Sequence, residues 1–169
     1  MKRFLFSIAL SVMFAFAGHA QSFALVDMEY VLEQLPAYTA AAQEMDELSE
    51  QWQGEVEAVA KEAKALYEEY QAKASTLTDA QKTELEDKIV AKEKEASALR
   101  MKYFGQEGEI IAKRDALFGP IQDSVYEAIK EIALRDGYDV VIDRASAQSM
   151  IFASPRIDIS NEVLSILGY

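Results

Sequence analysis

The sequence contains no cysteine, and its single histidine, His19, lies among the first twenty residues. General acid–base and nucleophilic catalysis depend most on these two residue types, as do zinc and haem sites. Only carboxylate chemistry or a cation held by oxygen ligands remains available to the rest of the chain. Without cysteine there can be no disulfide, so packing and assembly must stabilise the fold. We therefore expect a protein that is not an enzyme and that has no metal ion or cofactor.

Residues 1–20 have the pattern of a secretory signal peptide. Two basic residues precede an apolar run at 4–17, which is too short to cross a bilayer comfortably. Gly18 and Ala20 supply small side chains at the two positions that a signal peptidase reads, so we expect cleavage after Ala20. The alternative is an uncleaved anchor, but no stop-transfer pattern follows. The sequence therefore predicts an exported protein.

Basic residues are also few: 17 lysines and arginines stand against 29 acidic residues, a net charge of −12. Nucleic-acid binding needs a basic face, so this charge argues against it. It makes electrostatic attachment to anionic lipid doubtful for the same reason. Residues 38–72 carry nine acids and two bases, whereas residues 80–104 carry five acids and six bases.

No proline lies between Pro36 and Pro120. The intervening residues are rich in alanine, glutamate, lysine, glutamine and leucine, which is the composition of long helices. One break interrupts them at 75–79, where Thr78 followed by Gln81 fits a capping box. We predict two helices joined by a turn near 75–79.

Apolar residues recur on both helices at steps of three and four, the spacing of a coiled-coil seam. In an antiparallel hairpin, facing residues have numbers with a constant sum. Here Trp52 faces Tyr103, and their numbers, like those of the other facing pairs, add to 155. This register centres the turn where the capping signal places it, so two independent signals agree. The predicted seam is Met45, Leu48, Trp52, Val56, Val59, Leu66, Tyr70, Leu85, Ile89, Ala96, Leu99, Tyr103 and Ile110.

Two features weaken this hairpin. One layer pairs Ala63 with Lys92, and Gly105 and Gly108 interrupt the second arm. Glycine in an exposed helix costs roughly 1 kcal/mol relative to alanine. The glycines indicate either close backbone packing and simple tolerance, or a soft point that lets the arm bend.

The two ends of the chain predict a small body. Strands are expected at 23–27, 138–143 and 149–153, with helices at about 121–134 and 161–167. So few short elements leave a thin core and open sheet edges, which self-association would cover. Candidate residues for the core of the body, or of its contacts with other copies, are Phe23, Leu25, Val140, Ile142, Ile151, Ile159 and Val163.

The expected organisation is a signal peptide at 1–20, a body built from 21–37 and 120–169, and a helical hairpin at 38–119. The fold class is α+β but mostly α. A long antiparallel coiled-coil hairpin is expected to project from the small β-rich body, because two helices of this length bury only one stripe.

Four segments appear in a characteristic order: FALVDMEYVL at 23–32, the proline-free charged hairpin, GYDVVID at 137–143 and DISNEVL at 158–164. Together they resemble the OmpH, or Skp-like, family of periplasmic chaperones. The resemblance implies a periplasmic homotrimer in which three hairpins hang from a shared body around a cavity. It also implies an ATP-independent holdase that binds unfolded outer-membrane β-barrel proteins and prevents their aggregation during transit.

One departure limits the resemblance. Familiar members of the family are basic, whereas this chain is acidic, and only Lys73, Asp79 and Lys82 are charged within residues 73–82 of the arm tip. We therefore do not assign a lipid or lipopolysaccharide site.

Client contact is expected from adaptable side chains that lie off the seam. The alternative for the aromatic ones is ordinary packing against the sides of the seam. Two other functions are weighed: a non-catalytic scaffold or tether of the cell envelope, and an enzyme built on a carboxylate pair, which needs a concave pocket with converging acids. The candidate client-contacting residues are Tyr67, Leu77, Met101 and Phe104.

Overall fold

The structure is a computed structural model that describes residues 22–147 and 149–169, so the predicted signal peptide lies outside the described residues. Contacts divide these residues into two units, a hairpin unit of residues 35–124 and a body unit of residues 22–34 and 125–169. In chain order the elements are β1 (Phe23–Val26), α1 (Met28–Glu33), α2 (Pro36–Lys73), α3 (Asp79–Phe104), α4 (Glu109–Asp136), β2 (Val140–Asp143), a 3-10 helix (Pro155–Ile157) and α5 (Ser160–Leu167).

The hairpin unit contains the predicted turn between two long helices. Helix α2 begins with Pro36, whose missing N–H would have no helical partner at that position. At the start of α3, the Thr78 hydroxyl accepts a hydrogen bond from the Gln81 backbone N–H, and the Gln81 side chain accepts one from the Thr78 backbone N–H. This reciprocal pair confirms the capping box and the break between the helices.

The glycines between α3 and α4 are held close to preceding backbone. A Cβ atom added to Gly108 would lie 2.5 Å from the Tyr103 carbonyl oxygen, and one added to Gly105 would collide with the Met101 carbonyl oxygen. No side chain fits at such distances without a backbone shift. Close packing therefore accounts for both glycines.

Helix α4 differs from the expected element. A helix was predicted from about 121, after Pro120, but α4 runs from Glu109 through Pro120 to Asp136. Proline removes one helical hydrogen bond. Packing before and after Pro120 compensates for this loss. In the hairpin unit, the ring of Phe118 meets that of Tyr38 edge-on, with centroids 5.3 Å apart, and in the body unit Val125 is buried. Tertiary contact has outweighed the local proline signal.

The body unit is built on a parallel pair of strands, with Phe23 opposite Val140 and Leu25 opposite Ile142. On the other side of β1, the Ile159 N–H donates to the Leu25 carbonyl oxygen at 2.8 Å. Apolar residues of β1, α1, the second half of α4 and α5 fill the core. They are Ala24, Leu25, Val26, Val31, Val125, Ala128, Ile132, Ile159, Val163 and Leu164.

The prediction of a third strand at 149–153 was wrong. Those residues form no strand in the structure, and the side chains of Ile151 and Phe152 are 101% and 83% exposed. The segment has the composition of a strand, but it pairs with neither strand of the sheet, which contains only β1 and β2 among the described residues.

The predicted body core divides into two groups. Leu25, Ile159 and Val163 are buried. Phe23, Val140, Ile142 and Ile151 are exposed, so their assignment to the core of a single body was wrong. The sheet has only two strands, and one of its faces has no covering helix among the described elements. A role for these four residues in contacts between copies stays a prediction.

Carboxylate side chains bond the ends of the strands to neighbouring segments of the body unit. Asp27 accepts a hydrogen bond from the Tyr30 N–H at 3.0 Å and pairs with Arg144 at 2.6 Å, and both contacts hold the pKa of this carboxyl below its ordinary value. The Asp27 N–H donates to the Ser160 hydroxyl, which in turn donates to Asp158 at 2.6 Å. This network joins β1, the turn after β2 and the start of α5.

Candidate functional site

None of the thirteen predicted seam residues is exposed in the structure, and Leu48, Leu99 and Ile110 pack against the buried cluster of Trp52, Val56 and Tyr103. Trp52, Val56, Ile89 and Tyr103 are buried, and the others are half-buried. The two arms therefore meet along one stripe, which leaves the outer faces of both helices in contact with solvent.

An aromatic cluster fixes the register of this stripe. The rings of Trp52 and Tyr103 are stacked, with centroids 5.0 Å apart and planes 1° apart, and Phe104 meets both rings edge-on. The Tyr103 hydroxyl donates to Glu55 Oε2 at 2.5 Å. This hydrogen bond raises the pKa of Tyr103 and lowers the pKa of Glu55. Offset aromatic pairs typically contribute 0.5–1.5 kcal/mol beyond area burial, so this layer is a strong point of the hairpin.

The layer of Ala63 and Lys92 behaves differently. Lys92 Nζ lies 2.8 Å from Glu62 Oε2 and 3.0 Å from Glu95 Oε2, so its ammonium points at carboxylates. The bond to Glu62 is the main cause that raises the pKa of Lys92. Ala63 remains buried, and its small side chain leaves space beside the seam.

That space belongs to a shallow groove on one face of the hairpin unit, which we call the hairpin groove. Its first cavity, of about 410 Å³, lies nearer the turn. Ala60, Ala63 and Ala96 line it with small apolar side chains, and Tyr67 borders it at the end nearer the turn. The small residues on the two helices therefore produce the depth of this cavity.

The second cavity of the hairpin groove, of about 330 Å³, lies farther from the turn. It is bordered by Val56 and Phe104, with the polar side chains of Gln53 and Glu57 at its edge. Arg100 lines both cavities and stands between them. The groove is therefore apolar at its base and aromatic towards both ends, with one arginine at its centre.

The four candidate client-contacting residues are not brought together. Tyr67 and Phe104 line different cavities of the hairpin groove. Met101 is 67% exposed but borders neither cavity, and Leu77 is half-buried in the turn. The Tyr67 hydroxyl accepts a hydrogen bond from the Gln71 side-chain amide at 3.0 Å, which orients the ring.

Reasoning from sequence missed the centre of the groove. Heptad analysis ranks positions by hydrophobicity, so it treats Ala60 and Ala63 as weak and Arg100 as merely solvated. The available signal was a small residue at an inward position on each arm, Ala63 on α2 and Ala96 on α3, in nearby layers of the register. Small residues at such positions leave volume between two helices.

The body unit has a concave region of its own, of about 290 Å³, bordered by Asp27, Arg144 and Asp158. These groups already bond one another. Across residues 22–147 and 149–169, no group of three or more histidine, cysteine, aspartate or glutamate side chains could hold a metal ion. Within the same ranges, no helix combines the length and hydropathy needed to span a membrane.

Known proteins are similar to this chain in sequence and in fold. Residues 22–167 match the model of the OmpH family, described as outer membrane protein (OmpH-like). The chaperone protein Skp of Photorhabdus luminescens is 29% identical over 150 residues, which cover 85% of this chain and 87% of that protein. The chaperone protein Skp of Yersinia enterocolitica is 26% identical over 168 residues, which cover 97% of this chain and 98% of that protein.

A solved structure agrees at the level of the fold. An OmpH-like protein of Caulobacter crescentus CB15, described as an outer membrane chaperone, has a TM-score of 0.68 to this chain. The match covers 89% of this chain and 86% of that one at 12% identity, so it shows the fold alone. The family match spans nearly all described residues and confirms the resemblance predicted from the four ordered segments. This chain belongs to the OmpH family.

Proposed function

We propose that this protein is a non-catalytic, ATP-independent holdase chaperone of the periplasm that binds unfolded outer-membrane proteins and prevents their aggregation in transit. The observation that carries the proposal is the hairpin groove, an open apolar surface with Tyr67 and Phe104 in its two cavities. Relatives covering almost the whole chain are named chaperones, which supports the same function.

The physical argument is that a holdase needs many weak contacts and fast release. A shallow groove gives apolar contact without enclosure, so a bound segment can leave without a large rearrangement. The strong negative charge of the chain keeps the protein soluble while it carries aggregation-prone clients. The same charge makes anionic lipid an unfavourable partner, so we propose protein clients alone.

Assembly belongs to the proposal. We propose a homotrimer whose contacts use Phe23, Val140, Ile142 and Ile151, because these apolar side chains are exposed in the single chain. Exposed apolar residues near an open strand edge favour association of copies. Sedimentation of the mature chain should give the mass of a trimer, and Ile151→Asp should shift that mass towards a monomer.

Aggregation suppression tests the function directly. A urea-unfolded outer-membrane β-barrel protein is diluted into buffer without ATP, with and without the mature chain, and light scattering is followed together with complex mass. Suppression that saturates near one client per trimer is expected. An absence of suppression at several-fold excess of folded, trimeric protein would contradict the holdase and favour an envelope scaffold.

The role of the hairpin is tested by shortening it. Excision of residues 60–95 removes equal lengths of the two arms, because residues 60 and 95 face each other in the register of the seam. The shortened protein should remain a trimer of lighter chains and should no longer suppress client aggregation. Full suppression by the shortened protein would place client binding in the body instead.

A further inference from the structure

The hairpin groove is distinguished by its charge as well as by its shape. Helix α2 belongs to a strongly acidic arm, yet the cavity nearer the turn is bordered by two bases, Lys64 and Arg100, and one acid, Glu93. Lys64 approaches Glu68 at 3.8 Å, whereas Arg100 has no carboxylate within 4.0 Å among the described residues. Glu57 borders the other cavity, so the lining of the whole groove holds two bases and two acids, and Arg100 is its base without an acidic partner in the described part of the chain.

The length of the groove limits what it can hold. From Gln53 to Tyr67 the lining follows α2 over fifteen residues, whose fourteen rises of 1.5 Å give a length of about 21 Å. An extended polypeptide rises about 3.3 Å per residue, so roughly six or seven residues would fill it. Alternate side chains of such a segment point the same way, which would place them in one cavity, at Arg100 and in the other cavity.

We infer that the hairpin groove binds extended polypeptide segments in which a carboxylate side chain is flanked by apolar side chains, and that Arg100 pairs with that carboxylate. The inference rests on the proposed function, since unfolded clients supply such segments. It gives the groove a preference opposite to that of the whole molecule, because net charge alone would favour basic segments. At physiological salt, charges interact over about 8 Å, so the nearest group decides.

A peptide fits better than an acyl chain. The rim of the groove includes Gln53, Glu57, Glu93 and Ser97, whose oxygen atoms can accept hydrogen bonds from peptide N–H groups. An acyl chain has no N–H or O–H group to donate to these oxygen atoms. The chemistry of the rim therefore favours polypeptide over lipid.

Three labelled peptides of one length test the preference. The first is acetyl-Phe-Thr-Asp-Thr-Val-Thr-Tyr-amide, and its twins carry asparagine or lysine in place of aspartate. Fluorescence anisotropy at physiological salt should rank their affinities for the mature protein as aspartate, then asparagine, then lysine, with about five-fold between the first and the last. Tightest binding of the lysine peptide, or equal binding of all three, would overturn the inference.

Matched variants locate the effect. Arg100→Gln should abolish or reverse the ranking, whereas Lys94→Gln, an equal change of charge on the same helix outside the groove lining, should preserve it. Ala60→Phe should fill the groove and weaken all three peptides at least about five-fold, while Ala58→Phe, outside the lining, should not. An unchanged ranking in Arg100→Gln would remove Arg100 from the site.

Two other occupants give distinct results. If Ala60→Phe lowers the assembly mass, the groove is a contact between copies of this chain, and the inference is wrong. If Arg100→Gln reduces the amount of protein that sediments with phosphatidylglycerol vesicles but leaves the order of peptide affinities unchanged, the partner is lipid. The inference is then again wrong. Aggregation suppression is measured on the same samples. If the protein suppresses aggregation but does not rank the peptides as expected, the inference is wrong and the holdase function is supported. If it ranks the peptides as expected but does not suppress aggregation, the inference is supported and the holdase function is wrong.

Discussion

The hairpin unit and the body unit are stabilised in different ways. In the hairpin unit, two long helices share one stripe of contact, and each layer touches mainly its neighbours along the arms. In the body unit, residues far apart in the chain meet around a single core, as when the Asp27 N–H bonds Ser160. The comparison shows how one small core can be combined with a long solvated surface. The hairpin unit exposes most of the surface of its helices, and the body unit buries most of its apolar residues in one core.

The largest expected effect lies in the body. Leu25 is 1% exposed, so Leu25→Ala should lower the free energy of unfolding by about 3 kcal/mol. Leu134→Ala deletes the same atoms from a side chain that is 77% exposed and should change stability by under about 0.5 kcal/mol. Urea unfolding at one protein concentration measures both variants. Equal losses would show that burial within the single chain does not govern the stability of the body.

A smaller effect is expected at the strongest layer of the hairpin. Trp52→Ala removes the stack on Tyr103 and should cost about 2 kcal/mol, less than a fully enclosed aromatic, because solvent surrounds the other faces of the arms. Hydrogen exchange should accelerate at residues 48–60 and 96–107 and stay unchanged at residues 22–34. Equal acceleration in both units would mean that they unfold together. Tyr67→Ala, at a side chain that is 49% exposed, serves as the control.

The same contrast explains what the sequence could predict. The hairpin was predictable because its signals are local: a seam with helical spacing, a capping box and a constant register. The actual pairing of Trp52 with Tyr103 follows from that register. The hairpin groove was missed because its depth comes from the small side chains of Ala60 and Ala63. Hydrophobic patterns do not detect the space that small side chains leave.

The body was harder to predict because its contacts are not local. The composition of residues 149–153 predicted a strand. A strand forms only when it pairs with residues distant in the chain, and a local sequence pattern does not show whether it does. Pro120 predicted a helix start, yet α4 continues through it because packing holds both sides. In contrast, α4 ends at Asp136, close to the predicted end near 134, and Gly137 follows it with the positive φ of 74° that glycine favours.

Two glycines sharpen the comparison within the hairpin itself. Gly54 lies inside α2 with open space around the position of a Cβ atom, so Gly54→Ala should stabilise the protein by about 1 kcal/mol. At Gly108 a Cβ atom would lie 2.5 Å from a backbone oxygen, so Gly108→Ala should destabilise it by about 1 kcal/mol or more. Thermal unfolding of the two variants under one condition gives the signs. A stabilising Gly108→Ala would show that the segment between α3 and α4 adapts freely.

The smallest expected effect concerns the hydrogen bond between Tyr103 and Glu55 and depends on pH. The bond raises the pKa of Tyr103 above its ordinary value of 10.0, so its contribution is present below that pH and is lost as pH rises through the raised pKa. The same bond is the main cause that lowers the pKa of Glu55 below 4.5, so the contribution is present above that pH and is lost as pH falls through the lowered pKa.

Tyr103→Phe isolates this bond, because the ring and its stack on Trp52 are kept while the hydroxyl is removed. The difference in unfolding free energy between wild type and variant should be constant from about pH 5 to pH 9 and should shrink on both sides of that window. Loss on the alkaline side alone would mean that Glu55 does not accept the bond in solution. In that case the aromatic stack would hold the register of the seam without help from the carboxylate.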